Sequence, residues 1–433
     1  MSKKNNILFL TNNDFLCYKG TMEIKWKRGK YMFSELSIPS RTIMTPGPVE
    51  AHPAALRAMS ASILGQFDPA FLQIMDEVKE MIKIPFGTKN KQAFAVDGTS
   101  RSGLEAALIA LIEPGDKVLI PVYGRFAYLL GEICERAQAD IHYLEKEWDA
   151  PFEQETVIKA IDEFQPKIVA MVHGETANGQ MQPLDKIGQH CRANNIFFAV
   201  DMVATYGGVP IEVDAWGVDI AVAGTQKCVS VPSGLSLITY NDRVEKVLDQ
   251  RYQKELGLSK DIRNENHISN NYLDLSQLQR YWSEERINHH TEATSMIYGL
   301  HEGLRMLIKE GIENVYARHA ENDQAIVAGV KAMGLGFYGE MTTKMPTVTP
   351  VMIPAGIDGE EVRSLMLDEF GVEIASSFGA LQGKVWRIGN MGYSSRKANV
   401  LHVLSALEGA LLYYGADINK GEAVKAALAV YKK

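Results

Sequence analysis

The sequence predicts an α/β fold: a large, mainly parallel sheet flanked by helices, followed by a smaller α/β unit. From about residue 92, short apolar runs alternate with stretches of helical periodicity, the pattern of βα repeats. The apolar runs end in polar, chemically capable residues: Asp97-Gly-Thr-Ser100, His173-Gly-Glu-Thr176, Asp201 and Gln226-Lys227. In parallel sheets, ligands bind beyond the carboxyl ends of the strands, so these four clusters are expected to share one edge.

Residues 1–31 precede this pattern. Their apolar core, Ile7–Leu10, is too short for a secretory signal, and Tyr18–Tyr31 is basic and aperiodic. We expect residues 1–40 to be a poorly ordered extension, with Met32 an alternative start. An arm ordered on a partner subunit is the other reading. The expected strands are then Ala93–Val96, Val118–Val122, Ile168–Val172, Ile196–Val200, Ile220–Ala223 and Leu235–Tyr240. Between them, Leu104, Ala107, Leu108 and Leu111 recur at helical spacing, as do Leu129, Ile133 and Ala137. Residues 241–290 are polar, with no clean strand, and read as helices and long connections near a subunit interface. A long helix is expected over Glu292–Glu310. The second unit follows: a strand over Thr347–Ile353, a helix over Gly359–Phe370, a strand over Val385–Ile388 and a helix over Arg396–Tyr414. The expected division is 41–310 for the large domain and 311–433 for the small one.

Composition narrows the function classes. A chain of 433 residues is long enough for two cores, and a charged fraction of 23% is ordinary for a globular protein. The net charge of −8 disfavours nucleic acid or an anionic membrane as main partner. Cys17, Cys134, Cys191 and Cys228 are scattered, with neither zinc-ligand spacing nor a disulfide framework, so we expect no metal and a reducing cytoplasm. No apolar run reaches the length of a membrane span.

Lys227 carries the most chemistry. It follows the apolar run Ile220–Ala223, and Asp201 ends another apolar run 26 residues earlier. A lysine and an acid at neighbouring strand ends are what pyridoxal phosphate requires. The lysine holds the aldehyde as a Schiff base, and the carboxylate keeps the pyridine nitrogen protonated. Each has a plainer reading, a strand-end Asp that caps a turn and a solvated Lys; the pairing weakens both. Thr99 and Ser100 precede a helix whose free amides can hold a phosphate, though simple N-capping is the commoner role of such a stretch. Phe126 can stack on a cofactor ring or pack in the core. His173 reads as structural. Glu175 and Thr176 stand where they can face a cofactor. Arg387 lies in an apolar strand and needs either a buried acid or a substrate carboxylate.

From Thr45-Pro-Gly-Pro-Val49 to about Gly415 the chain resembles the class V, fold-type I pyridoxal-phosphate aminotransferases of the alanine–glyoxylate group. The blocks Leu104–Leu108, Glu113-Pro-Gly-Asp116, His173-Gly-Glu175, Val200-Asp-Met-Val203, Gly224-Thr-Gln-Lys227 and Arg387-Ile-Gly389 agree in order. The resemblance implies a seven-stranded large-domain sheet and a homodimer with shared active sites. It implies that Lys227 is the catalytic lysine. It places Thr99, Ser100, Arg101, Gln226 and, from the second subunit, Thr291 on the cofactor, with Phe126 stacked on the ring, Val203 against it, Thr176 nearby and Asp201 on its nitrogen. Arg387 would bind the substrate carboxylate. Alanine–glyoxylate enzymes carry Tyr where this chain has Asn288. Together with Gln66, Asn288 makes the chain similar to the (S)-ureidoglycine–glyoxylate aminotransferases of purine catabolism, because amide side chains match a ureido group's donors and acceptors. The implied reaction moves the amino group of (S)-ureidoglycine to glyoxylate. Alanine or serine as donor is the alternative. Cysteine desulfuration is disfavoured, since Cys228 reads as buried and Phe126 holds the ring position. A non-catalytic scaffold would have no reason to keep Lys227, Asp201 and Arg387 together.

Overall fold

The structure is a computed structural model that describes residues 35–255 and 263–432. The chain divides after Ser40. Residues 35–40 are exposed and carry no helix or strand; the remainder of the expected 1–40 extension lies outside the described residues. From Arg41 onward the chain forms one unit with two main apolar cores.

The larger core encloses a seven-stranded sheet. Its spatial order is Gln92–Asp97, Leu235–Tyr240, Ile220–Gly224, Phe197–Asp201, Ile168–Val172, Lys117–Val122 and Asp140–Glu145. All are parallel except Leu235–Tyr240, which runs antiparallel to both neighbours, with Leu235 opposite Asp97 and Ser236 opposite Gly224. The central strands are buried along nearly their whole length, so they read as continuous apolar runs. Asp140–Glu145 is different. It is an edge strand, largely solvent-facing and rich in polar residues, and no apolar run marks it.

Parallel pairing brings the polar strand ends to one edge. Asp201 closes the strand Phe197–Asp201, one residue later than the apolar run suggests, and His173 follows Ile168–Val172 directly. The helix Ser100–Leu111 begins at this edge and packs Leu104, Leu108 and Leu111 into the core. Thr99 occupies its N-cap position, yet its side chain makes no capping bond. The plain capping role is therefore not the one this stretch plays.

The second core surrounds an antiparallel sheet ordered Val348–Met352, Val385–Gly389, Ala375–Ser376. Trp386 and Ile388 of the middle strand share this core with Leu404 and Leu407 of the helix Lys397–Tyr413. Met44 also belongs to this core, and Thr42–Ile43 pairs with Val372–Glu373. From there the segment 45–49 crosses to the large sheet, where Val49 N donates to Gln226 O at 3.1 Å. Pro46, Gly47 and Pro48 are thereby laid over Lys227. In the polar region 241–290 the described residues form the helices Asp242–Arg251 and Leu275–Trp282 joined by irregular chain. No helix among the described residues is long and apolar enough to cross a membrane.

Candidate active site

Lys227 lies just past the strand Ile220–Gly224 and is 8% exposed. Its Nζ donates to Pro46 O, and among the described residues it makes no ion pair. Gly47 is needed for that approach: it has φ +101°, and a Cβ there would collide with Lys227 Nζ. Burial, with the neighbouring Arg387 charge, lowers the Lys227 pKa to about 8. A sizeable minority of the amine is thus uncharged at physiological pH, where it can act as nucleophile and base.

Two buried carboxylates face it. Asp201 Oδ1 accepts from Val203 N at 2.9 Å, and burial pushes its pKa up to about 6. Glu175 accepts from Phe126 N at 2.7 Å through Oε2 and from Ala177 N at 2.8 Å through Oε1. Desolvation raises its pKa to about 7 against those two bonds. Glu175 therefore fastens the start of the helix Arg125–Arg136, which carries Phe126. Gly124 leaves room for it, since a Cβ there would run into the Glu175 side chain. This positioning role was not visible in the sequence. The one signal was a Gly two residues before the aromatic. His173 is structural: it is buried, bonded through Nδ1 to Thr205 Oγ1 at 2.9 Å, and held neutral by burial, with a pKa of about 3.

Across the site, Ser100 Oγ and Gln226 pair at 2.8–3.0 Å. Gly224 permits the close approach, because any Cβ would overlap Ser100 Oγ. A cavity of about 210 Å³ opens between these groups. Every cofactor residue expected from the sequence lines it except Thr291, and Leu104, Leu129 and Ala204 supply apolar wall.

Arg387 stands behind this cavity. Its guanidinium donates to Thr176 O at 3.0 Å and to Ser376 O at 2.8 Å through Nε and 2.5 Å through the second terminal nitrogen. No ion pair holds it among the described residues: backbone carbonyls orient it, burial brings its pKa down to about 10, and the buried Glu175 carboxylate opposes that shift. Its charge lies 4.5 Å from the Phe378 ring centroid, with Arg125 at 4.7 Å from the same ring. Phe378 and Arg125 were not anticipated; they come from distant parts of the chain and share no motif.

Gln66 and Asn288 meet elsewhere. Gln66 Nε2 donates to Asn288 Oδ1 at 2.8 Å, and Gln66 Oε1 accepts from Glu292 N at 3.2 Å. The Asn288 amide nitrogen keeps no partner among the described residues. Neither residue, nor Thr291, lines the cavity of the same chain.

Residues 54–381 match the profile of the Aminotransferase class-V family. The chain belongs to the class-V aminotransferases. A curated relative, the (S)-ureidoglycine–glyoxylate transaminase of Bacillus subtilis, is 55% identical over 92% of this chain and 97% of its own. The crystal structure of ureidoglycine–glyoxylate aminotransferase from Bacillus subtilis superposes with a TM-score of 0.88, covering 92% of this chain and 100% of that one. Alanine–glyoxylate aminotransferases are more distant. The enzyme of Callithrix jacchus is 34% identical over 88% of this chain and 90% of its own. A crystal structure from Nostoc sp. is 38% identical over 88% of this chain and 97% of that one, with a TM-score of 0.83. The fold is accordingly that of the fold-type I aminotransferases, with the seven-stranded sheet as its centre. The buried Cys228 thiol, whose pKa burial raises to about 12, offers no desulfurase-like nucleophile.

Proposed function

We propose that this class-V aminotransferase transfers the amino group of (S)-ureidoglycine to glyoxylate, giving oxalurate and glycine, with pyridoxal phosphate as cofactor. The observation that carries the donor assignment is the 55% identity to the Bacillus subtilis (S)-ureidoglycine–glyoxylate transaminase over nearly the whole chain. The Asn288–Gln66 pair supports it: the Asn288 amide nitrogen has no protein partner among the described residues and is open to a ureido carbonyl.

The cavity fits the cofactor. A buried amine that makes no ion pair among the described residues, a buried carboxylate with one oxygen left over, and a helix start whose Thr99 caps nothing match an aldehyde, a pyridine nitrogen and a phosphate. Lys227 would hold the aldehyde, Asp201 the nitrogen proton, and Thr99, Ser100, Arg101 and Gln226 the phosphate, joined by Thr291 of a second copy in a homodimer. Phe126 and Val203 would flank the ring, beside Thr176. When bound, the group supplies an electron sink for the substrate's α-carbon. Lys227 Nζ, whose charge burial disfavours, takes the α-proton and returns it. Arg387, pre-aimed by the Thr176 and Ser376 carbonyls, grips the carboxylate of donor and acceptor in turn. We read residues 41–310 as the cofactor-binding domain and 311–433 as the small domain. The buried free thiols Cys134, Cys191 and Cys228 suit the reducing cytoplasm.

Purified enzyme supplied with freshly generated (S)-ureidoglycine and glyoxylate should form glycine stoichiometrically. Absence of glycine above a donor-free control would overturn the reading. Arg387→Lys should raise KM for donor and glyoxylate together, as a bidentate grip becomes a point charge. Steady-state kinetics in both substrates test this, and a rise for only one would mean two carboxylate sites. Asn288→Tyr should shift the ratio of kcat/KM for ureidoglycine over alanine towards alanine by roughly ten- to hundred-fold, the worth of one well-made hydrogen bond in a closed site. The Gln66–Asn288 double change should exceed either single change.

A further inference from the structure

Three side chains converge near the cavity without entering it. Asp97 ends the strand Gln92–Asp97, two residues before Thr99, while His290 and Glu292 flank Thr291. His290 Nε2 lies 3.3 Å from Asp97 Oδ2 and 3.8 Å from Glu292 Oε2. One ligand atom from each of the three falls within 4.8 Å of the other two. The cluster is closed in: the side chains of Glu292, His290 and Asp97 are 1%, 10% and 12% exposed, and the rings of Tyr272 and Tyr281 stand 5.6 and 5.1 Å from His290. Asp97 Oδ1, His290 Nε2 and Glu292 Oε2 are all buried without a hydrogen-bond partner.

The hydrogen bonds around His290 fix which of its nitrogens is left over. His289 Nε2 faces Asn271 O at 3.2 Å, and a carbonyl only accepts, so the proton of that ring sits on Nε2. His289 Nδ1 then accepts from His290 Nδ1, 2.9 Å away. His290 Nε2, the nitrogen left over, is directed between two carboxylates. Two carboxylates and an imidazole nitrogen so placed, with the Tyr272 and Tyr281 hydroxyls beside the carboxylates, call for positive charge between them, a shared proton or a cation. Ligands about 2.1 Å from a common cation stand roughly 3–3.5 Å apart; the His290–Asp97 pair at 3.3 Å already has this spacing, and the His290–Glu292 pair at 3.8 Å would have to close slightly.

We propose that Asp97, His290 and Glu292 bind a divalent first-row cation, for which one imidazole and two carboxylates are a suitable set. The site is empty of any ion in this structure. Bound there, the cation would tie the segment 288–292, which carries Asn288 and Thr291, to the loop 97–100 at the end of the sheet. No spacing along the chain announces such a site, because its ligands come from segments brought together only by the fold.

Holoenzyme stripped with EDTA and dialysed is titrated calorimetrically with Zn²⁺ and with Mn²⁺, and its metal content is measured. The expected result is uptake of an equimolar amount of at least one of them, with a higher unfolding temperature. Glu292→Gln and Asp97→Asn should each weaken that uptake by more than about tenfold. Stripped wild type that takes up neither ion at millimolar concentration would overturn the proposal. So would a Glu292→Gln enzyme that binds as tightly as wild type. The isosteric Gln guards against loss of fold, and retention of cofactor absorbance by the variants checks it. If Glu292→Gln instead stabilises the protein above neutral pH while wild type binds no metal, the three groups share a proton and the cation site is refuted.

Discussion

Lys227→Ala is expected to abolish transamination while leaving the protein folded. The side chain contributes no ion pair to stability, and its amine bonds only to Pro46 O, so little structure depends on it. The chemistry depends on it twice, as the group that holds the cofactor and as the base at the α-carbon. Borohydride reduction of the wild type followed by peptide mapping should place the cofactor on the peptide that contains Lys227. Label on another lysine would refute the assignment.

Asp201→Asn should have opposite effects on activity and on stability. A neutral amide cannot hold the proton on the pyridine nitrogen, and turnover should fall by roughly a hundred-fold or more. In the cofactor-free protein the carboxylate is a liability. Its folded pKa of about 6 lies above its ordinary value of 3.8. The stability it contributes is complete below the ordinary value and is lost as pH rises through about 6. A displacement of about two pH units corresponds to roughly 3 kcal/mol. Cofactor-free Asp201→Asn, which keeps an oxygen for Val203 N, should therefore unfold at a higher temperature than wild type above pH 6, with the gap closing below pH 4. Thermal scans across this range, beside turnover of the loaded enzymes, test both halves. Near-normal turnover with cofactor bound would remove Asp201 from its role.

The parts that were legible in the sequence share a physical property: burial on both faces. Ile168–Val172 and Ile220–Gly224 are continuous apolar runs, and Leu235–Tyr240 is apolar apart from the buried Ser236 and Thr239, because helices cover the sheet. Asp140–Glu145 escaped notice because its edge position leaves most of its side chains in water, and its Ile141, Tyr143 and Leu144, interrupted and flanked by polar residues, form no continuous apolar run. At the site, Lys227 and Asp201 stood out as charged residues at the ends of apolar runs. Glu175 did not reveal its task, because its partners are backbone amides of Phe126 and Ala177, and amides have no identity in a sequence. Arg387 posed a correct question, since a guanidinium in an apolar strand must be satisfied. The answer, two backbone carbonyls from separate segments, exists only in three dimensions. Thr99 shows the converse: it has the chemistry of a cap and the position of a cap but does not cap.

The central claim is the identity of the amino donor, and the most direct measurement is kcat/KM of the wild-type enzyme for (S)-ureidoglycine, alanine and serine with glyoxylate as acceptor. The account predicts that ureidoglycine exceeds both others by at least about tenfold, the worth of one hydrogen bond that alanine cannot make. A wild type that prefers alanine or serine would contradict the donor assignment while leaving the family membership untouched.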